Sequence, residues 1–112
     1  IPNGAVKVLD VGCGNGFLLR KIKETKPNAQ LTGMDVKTPP KQDPSIRYLS
    51  GDIEKIPAEN GEYDVVICTH TLEHCRNLPQ SISELKRVSK NLILVVVPKQ
   101  RPYYYTLDEH IH

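Results

Sequence analysis

The sequence has no apolar run long enough to cross a membrane. Its longest such run, from Leu92 to Val97, has six residues, whereas a spanning helix needs roughly 20. The first residues also show no charged segment followed by an apolar one, which is the pattern of a secretory signal. We therefore expect a cytoplasmic protein that makes no use of a membrane.

Paired cysteines and a recognisable metal motif are missing as well. The three cysteines are odd in number and show no CxxC spacing, so we expect reduced thiols rather than a disulfide framework. His70 and His74 lie four residues apart and flank Glu73, but the order HExxH does not occur. The sequence therefore predicts no metal site.

Charge of one sign does not dominate any part of the chain. The 112 residues include 15 Lys+Arg and 13 Asp+Glu, for a net charge of +2, and the signs are interspersed. No basic stripe indicates nucleic-acid binding. A content of 38% hydrophobic and 25% charged residues is typical of one globular domain, which we place over residues 1–112.

Apolar segments alternate with helical or loop segments along the chain, which is typical of parallel strands joined by crossovers. Helices are predicted from Phe17 to about Lys26 and from Asn77 or Leu78 onwards. Prolines exclude a regular helix between residues 36 and 45, so this crossover is expected to be an irregular loop. Five strands are predicted, at residues 7–11, 30–35, 46–50, 63–69 and 91–97.

The second predicted helix has one apolar and one charged face. Apolar residues recur at helical spacing from Leu78 to Val88. The charged residues between them are interpreted as a face exposed to solvent. These residues are Glu84, Lys86, Arg87 and Lys90.

The clearest chemical motif is VLDVGCGNG, in which the first strand runs into Gly12, Gly14 and Gly16. Glycine permits positive φ and close approach of a ligand, and a helix beginning near Phe17 offers N–H groups to a carboxylate. A dinucleotide motif GxGxxG counted from Gly12 would need glycine at position 17, which argues against NAD. The alternative, a tight turn without a ligand, seldom needs three glycines in five residues.

This motif resembles the first motif of class I S-adenosylmethionine-dependent methyltransferases, of the small type with LEH after the fourth strand, and the similarity covers about residues 5–98. It implies an α/β fold, a Rossmann-like doubly wound, mostly parallel sheet of order 3-2-1-4-5. Family members usually add two more strands, so the chain looks truncated before them. The alternative is a minimal domain whose exposed fifth-strand edge is covered by a partner or a second copy. The resemblance also leaves Asn91, in place of a glycine, to end the second helix.

The resemblance further implies which residues hold S-adenosylmethionine and its product S-adenosylhomocysteine. Asp35 matches the acid on the ribose hydroxyls, Asp52 the acid on the adenine amino group, and Asp10 the acid that orients the ammonium group. Taken singly, an aspartate at a strand end more commonly caps a helix or a turn, and that alternative stays open. The implied cofactor-binding set is Asp10, Gly12, Cys13, Gly14, Asn15, Gly16, Asp35, Val36, Asp52, Ile53, Thr69, His70 and Leu72.

Methyl transfer is an in-line displacement at an activated carbon, so the protein mainly has to align donor and acceptor and exclude water. His70 and His74 are the candidate general bases, although either can equally hydrogen-bond a loop carbonyl or pack beside the cofactor. We expect no nucleophilic role for Cys13, Cys68 or Cys75. The acceptor is expected to be a small molecule.

The tail from residue 98 to residue 112 carries three adjacent tyrosines, followed by acids and histidines. It matches the region where related enzymes begin to cover the acceptor, and aromatic packing is the alternative. The tail residues concerned are Tyr103, Tyr104, Tyr105, Asp108, Glu109, His110 and His112.

Two other functions of the chain remain open. One is an inactive cofactor-binding module or partner subunit, and the other is a Rossmann-like nucleotide-dependent oxidoreductase.

Overall fold

The computed structural model describes residues 6–13, 16–37, 42–69, 76–96 and 103–106. These residues form one sheet with a helix on each face. In chain order the elements are β1 (Lys7–Val11), α1 (Phe17–Thr25), β2 (Gln30–Asp35), β3 (Ile46–Ser50), β4 (Tyr63–Thr69), α2 (Leu78–Val88), β5 (Ser89–Val96) and β6 (Tyr103–Thr106).

The strands lie side by side in the order β3-β2-β1-β4-β5-β6. The first five of them pair in parallel, and β6 pairs antiparallel with β5. The predicted order 3-2-1-4-5 is therefore confirmed, with one further strand at its end. The predicted bounds of β1 to β4 are also confirmed, because period and apolar content define these buried strands well.

The predicted exposed edge at the fifth strand is wrong over the stretch that β6 covers. Leu92 pairs with Thr106 and Val95 with Tyr103, so the chain itself satisfies these backbone groups of β5. Aromatic residues favour extended backbone, and the tyrosines of the tail form the covering strand. Their side chains and residues 107–112, which include the predicted Asp108, Glu109, His110 and His112, lie outside the described residues.

The expected helix-ending role of Asn91 is also wrong. Helix α2 ends at Val88, and Ser89 follows in an extended conformation with φ −91° and ψ 134° while its N–H donates to the Leu85 carbonyl. Asn91 lies inside β5. The helix passes directly into the strand, so no left-handed residue is needed at this junction.

Residues that alternate along the strands build two cores. Val8, Leu31 and Ile67 pack with Leu19 of α1 on one face of the sheet. On the other face, a second apolar cluster packs with α2. The second cluster comprises Leu9, Val11, Met34, Ile53, Ile56, Tyr63, Val66, Cys68, Leu85, Val88 and Ile93.

Among the described residues, no helix is long and apolar enough to span a bilayer.

Irregular chain replaces helices in two crossovers. Residues 51–62, between β3 and β4, contain no helix. Between β2 and β3, residues 36–37 and 42–45 are also non-helical, as the prolines predict. The remaining residues of that loop, 38–41, lie outside the described part.

The interpretation of Glu84 and Arg87 as part of a solvent-exposed face is wrong. Glu84 is buried, and its carboxylate accepts from the Ile56 N–H at 2.8 Å and from Arg87 Nε at 2.6 Å. The Arg87 guanidinium donates in turn to the carbonyls of Ile56 and Ala58, at 2.8 and 2.7 Å. Backbone groups of a crossover without a helix need partners, and this ion pair supplies them.

Candidate functional site

A cleft of about 400 Å³ lies at the carboxyl ends of β1, β2 and β3. Ligands of open α/β sheets bind at this edge, and small-molecule sites typically measure roughly 300–1,000 Å³. The residues that line the cleft come from four separate segments of the chain. They are Val11, Gly12, Met34, Asp35, Val36, Gly51, Asp52, Ile53, Glu54 and Arg76.

Gly12, at the start of the glycine loop, forms part of one wall of the cleft. Gly12 has a φ of +82°, and the N–H groups of Gly12 and Cys13 both donate to the Met34 carbonyl, at 2.7 and 3.1 Å. Gly16 begins α1 with a φ of +81°, and a Cβ at this position would lie 2.9 Å from the Tyr48 hydroxyl. Two of the three glycines thus adopt the conformation that the sequence predicts, and Gly14 lies outside the described residues with Asn15.

Behind this wall, Asp10 and Cys13 are buried. Burial, together with the nearby Asp10 and Asp35 carboxylates, raises the pKa of the Cys13 thiol to about 11. Cys13 is therefore protonated at neutral pH, and a thiol is a poor nucleophile. Asp10 and Cys13 are absent from the surface of the cleft.

Two acidic residues predicted to bind the cofactor line the cleft together. Asp35 ends β2, and one of its carboxylate oxygens accepts from the Val36 N–H at 2.8 Å. Asp52 follows β3, and its Oδ1 accepts from the Glu54 N–H at 2.8 Å. The turn-capping alternative thus describes part of what Asp52 does. A carboxylate offers about four acceptor sites, so a local bond of this kind is compatible with binding a ligand.

Apolar and backbone groups complete the surface near these acids. Val36 and Ile53 both line the cleft, as predicted. Gly51 brings the chain close to its neighbours, since a Cβ there would lie 2.8 Å from Pro57 Cδ and 3.0 Å from Met34 Sδ. Val36 and Ile53 thus place apolar side chains on the same surface as the Asp35 and Asp52 carboxylates.

Sequence reasoning missed five residues of the cleft lining, among them the charged Glu54 and Arg76; the others are Val11, Met34 and Gly51. Glu54 stands two residues after Asp52 in SGDIEKIP, and this closeness was the one available signal. Arg76 precedes α2, and no local pattern connects it with a turn more than 20 residues earlier. Only folding brings these two residues to the same surface.

Several predicted residues fall outside the described part of the chain. These include both candidate bases, His70 and His74, and also Leu72. Thr69 ends β4, where it pairs with Val96, and only its backbone is described. Within the described ranges, no three His, Cys, Asp or Glu side chains come together as a set that could hold a metal ion.

Comparison with known proteins identifies relatives of the whole arrangement. Residues 9–95 match the family described as "Methyltransferase domain". A ubiquinone biosynthesis O-methyltransferase of Vibrio parahaemolyticus is 34% identical over 115 aligned positions, which cover 94% of this chain and 45% of that protein. A malonyl-[acyl-carrier protein] O-methyltransferase of Pectobacterium atrosepticum is 29% identical and covers 79% of this chain and 36% of its own length. The chain thus spans less than half the length of these relatives.

Solved structures show the same fold. The plantazolicin methyltransferase BpumL, crystallised with a desmethylPZN analog and SAH, superposes with a TM-score of 0.72 at 26% identity, over 82% of this chain and 38% of BpumL. The YcgJ protein from Bacillus subtilis superposes with a TM-score of 0.67 at 20% identity, over 82% of this chain and 44% of its own. The second likeness concerns the fold alone.

The family match spans the glycine loop, both cleft acids, β2 to β4 and most of β1 and β5, from Leu9 to Val95. It agrees with the resemblance seen in VLDVGCGNG and with the strand order of the sheet. The chain is therefore a methyltransferase domain and belongs to the methyltransferase-domain family that these relatives represent.

Proposed function

We propose that this domain binds S-adenosylmethionine in the cleft at the ends of β1 to β3 and transfers its methyl group to a small-molecule acceptor. The observation that carries the proposal is the meeting of Asp35, Asp52 and the Gly12 loop on one surface of about 400 Å³. A dinucleotide enzyme gives no role to an acid after the third strand. The arrangement therefore favours a single adenosine with a short polar tail.

The chemistry of the lining residues is compatible with this cofactor. In the proposal Asp35 accepts from the ribose hydroxyls, Asp52 accepts from the adenine amino group, and Val36 and Ile53 supply apolar contact for the ring; the presence of all four on one surface supports it. Gly12 leaves room for the amino-acid portion because it carries no side chain. When bound, S-adenosylmethionine supplies a methyl carbon that is electrophilic because its sulfur is positively charged.

The chain's own contribution is to bind, orient and exclude water. A covalent nucleophile is not needed, and the raised pKa of Cys13 removes the thiol nearest the glycine loop from consideration. We keep His70 and His74 as proposed bases for an acceptor that loses a proton. Thr69 and Leu72 are kept as proposed contacts of the cofactor, with Gly14 and Asn15.

For the acceptor we propose a hydroxyl or carboxyl oxygen. Support comes from the two curated relatives, both of which are named O-methyltransferases. The plantazolicin methyltransferase BpumL, which has the same fold, was crystallised with a different kind of compound, a desmethylPZN analog. The fold accommodates different acceptors, so the proposal of oxygen as the methyl-accepting atom rests on the sequence relatives alone.

Calorimetric titration with S-adenosylhomocysteine and, separately, NAD tests the cofactor. We expect binding of S-adenosylhomocysteine only. Asp35→Ala should weaken this binding by about tenfold or more, because it removes the carboxylate and its hydrogen bonds to the ribose. Glu24→Ala is the matched control, since it removes an exposed carboxylate on α1 away from the cleft. Binding of NAD alone would replace the proposal with the oxidoreductase alternative.

A further inference from the structure

We propose that Glu54 is a positioning residue for the cofactor cleft, because it ties the adenine side of the cleft to the chain that enters α2. The inference rests on the proposed function and adds a residue to it. Glu54 lines the cleft beside Asp52 and Ile53. It also makes hydrogen bonds to residues more than 20 positions further along the chain.

The first part of the link is the turn after β3. The Asp52 carboxylate accepts from the Glu54 N–H at 2.8 Å, and the Asp52 carbonyl accepts from the Lys55 N–H at 3.0 Å. Both ends of Asp52 are therefore held by the residues that follow it. A displacement of Glu54 therefore shifts the Asp52 carboxylate, because one hydrogen bond joins them directly.

The second part joins this turn to the start of α2. Glu54 Oε2 accepts from the backbone N–H groups of Arg76 and Asn77, both at 3.2 Å. The Glu54 carbonyl accepts from the Gln80 side-chain amide at 2.9 Å. Three bonds from one residue thus reach the same short stretch of chain, which restrains its direction as well as its distance.

The position of this stretch matters for the cleft. Arg76 is itself part of the cleft lining. Residues 70–75, which join β4 to Arg76, include the proposed base His74 and the proposed cofactor contact Leu72. Fixing Arg76 against the Asp52 turn therefore fixes a part of the cleft lining that directly follows these proposed residues in the sequence.

A simpler role for Glu54 is capping of α2, since a carboxylate near a helix N-terminus stabilises the helix. Asn77 already serves as the N-cap, and its side chain accepts from the Gln80 N–H at 3.1 Å. The two roles differ in what they affect. A cap stabilises the helix alone, whereas the proposed link also sets the affinity of the cleft.

The test compares Glu54→Ala with Asn77→Ala in the 112-residue chain, by titration with S-adenosylhomocysteine and by thermal unfolding. We expect Glu54→Ala to weaken binding by about tenfold, because two bonds to a charged acceptor are lost. Asn77→Ala removes the cap and keeps the Glu54 bonds to the backbone, so it should lower Tm with little change in affinity. Equal loss of affinity in the two variants at equal loss of Tm would overturn the proposal.

Two conservative variants guard against simple misfolding. Glu54→Gln keeps an acceptor oxygen at the same reach and should bind within about threefold of wild type. Glu54→Asp keeps the charge but is one methylene shorter, so it should resemble Glu54→Ala. The reverse order, with Asp tolerated and Gln not, would show that charge alone acts and would overturn the positional role.

Hydrogen exchange of the Arg76 and Asn77 amides separates this proposal from the proposed function. Both amides should exchange faster in Glu54→Ala than in wild type without any ligand present. If the wild-type chain binds no S-adenosylhomocysteine, the proposed function and the effect of Glu54 on affinity both fail. Unchanged amide exchange would overturn the link between the two segments whether or not the ligand binds.

Discussion

Gly33 allows the glycine loop to pack against the middle of β2. A glycine inside a strand usually marks a close approach of other chain, and here a Cβ would lie 2.8 Å from Cys13 Sγ, 3.0 Å from Cys13 Cβ and 3.1 Å from Leu19 Cδ1. The small, protonated Cys13 occupies this space. The absence of a side chain at Gly33 thus leaves room for Cys13, the neighbour of the cleft residue Gly12.

Gly33→Ala should therefore disturb the cleft as well as the core. We expect the free energy of unfolding to fall by about 1–3 kcal/mol, as is typical of overpacking, and the affinity for S-adenosylhomocysteine to fall with it. Gly61→Ala is the control: Gly61 has a φ of +61° with nothing within 4 Å of an added Cβ, so backbone strain of about 1–2 kcal/mol is expected with unchanged affinity. Urea unfolding and calorimetry measure both quantities.

Among the elements, α2 has two tasks. Its apolar face, including the buried Leu85 and Val88, covers the sheet. Its Glu84 and Arg87 side chains hold the irregular crossover of residues 51–62, through bonds to Ile56 and Ala58. The same crossover begins with the Asp52 turn. Helix α2 therefore supports the cleft through Glu84 and Arg87 as well as through the start of the helix.

Arg87→Ala should destabilise the fold more than the loss of an exposed charged residue on a helix usually does. It removes the guanidinium bonds to the buried Glu84 carboxylate and to the Ile56 and Ala58 carbonyls, and the loss of such bonds to buried acceptors costs about 1–3 kcal/mol. Lys86→Ala, one position earlier, should change the free energy of unfolding by less than about 0.5 kcal/mol. A similar cost for the two variants in urea unfolding would contradict the assigned role of Arg87.

The Glu84 carboxylate also predicts a dependence of stability on pH. Its hydrogen bond to Arg87, opposed by burial and aided by the Ile56 N–H, holds the Glu84 pKa below its ordinary value. A lowered pKa in the folded state contributes stability that is fully present above the unfolded pKa of about 4.3 and is lost as pH falls through the folded value. The difference in stability between wild type and Glu84→Gln should therefore be largest near neutral pH and shrink below about pH 4. In an Arg87→Ala background this dependence on pH should weaken, and its persistence would show that Arg87 is not the main cause.

At the scale of the whole molecule, the cleft draws on segments that follow β1, β2 and β3 and on Arg76 before α2. A ligand that contacts all of them stabilises the folded state as a unit. The sheet places these segments together because parallel strands present their carboxyl ends at one edge.

S-adenosylhomocysteine should consequently raise Tm. At 100 times its Kd a ligand adds about 2.7 kcal/mol, which for a chain of this size corresponds to roughly 10 °C. NAD at the same concentration should leave Tm unchanged, and Asp35→Ala should show a smaller rise at the same concentration of S-adenosylhomocysteine. Differential scanning calorimetry measures these shifts, and an unchanged Tm under saturating ligand would contradict the cleft as a binding site.

The elements that depend on local pattern were predictable. β1 to β4 follow from apolar content, α1 and α2 from helical spacing, and the positive φ of Gly12 and Gly16 from the VLDVGCGNG motif. The positions of Asp35 and Asp52 at the cleft follow from the same reasoning, since both stand at the ends of parallel strands. Each of these features is encoded within a few adjacent residues.

The sequence by itself determined the parallel sheet, the glycine loop and the family resemblance that the match over residues 9–95 confirms. Only the tertiary structure decided three features. Strand β6 covers β5, the Glu84–Arg87 pair of α2 holds the irregular crossover of residues 51–62, and Glu54 binds the chain before α2. The physical reason is distance along the chain. Charged side chains and a short tail carry no local signal of their partner, because the partner becomes a neighbour only when the sheet has formed.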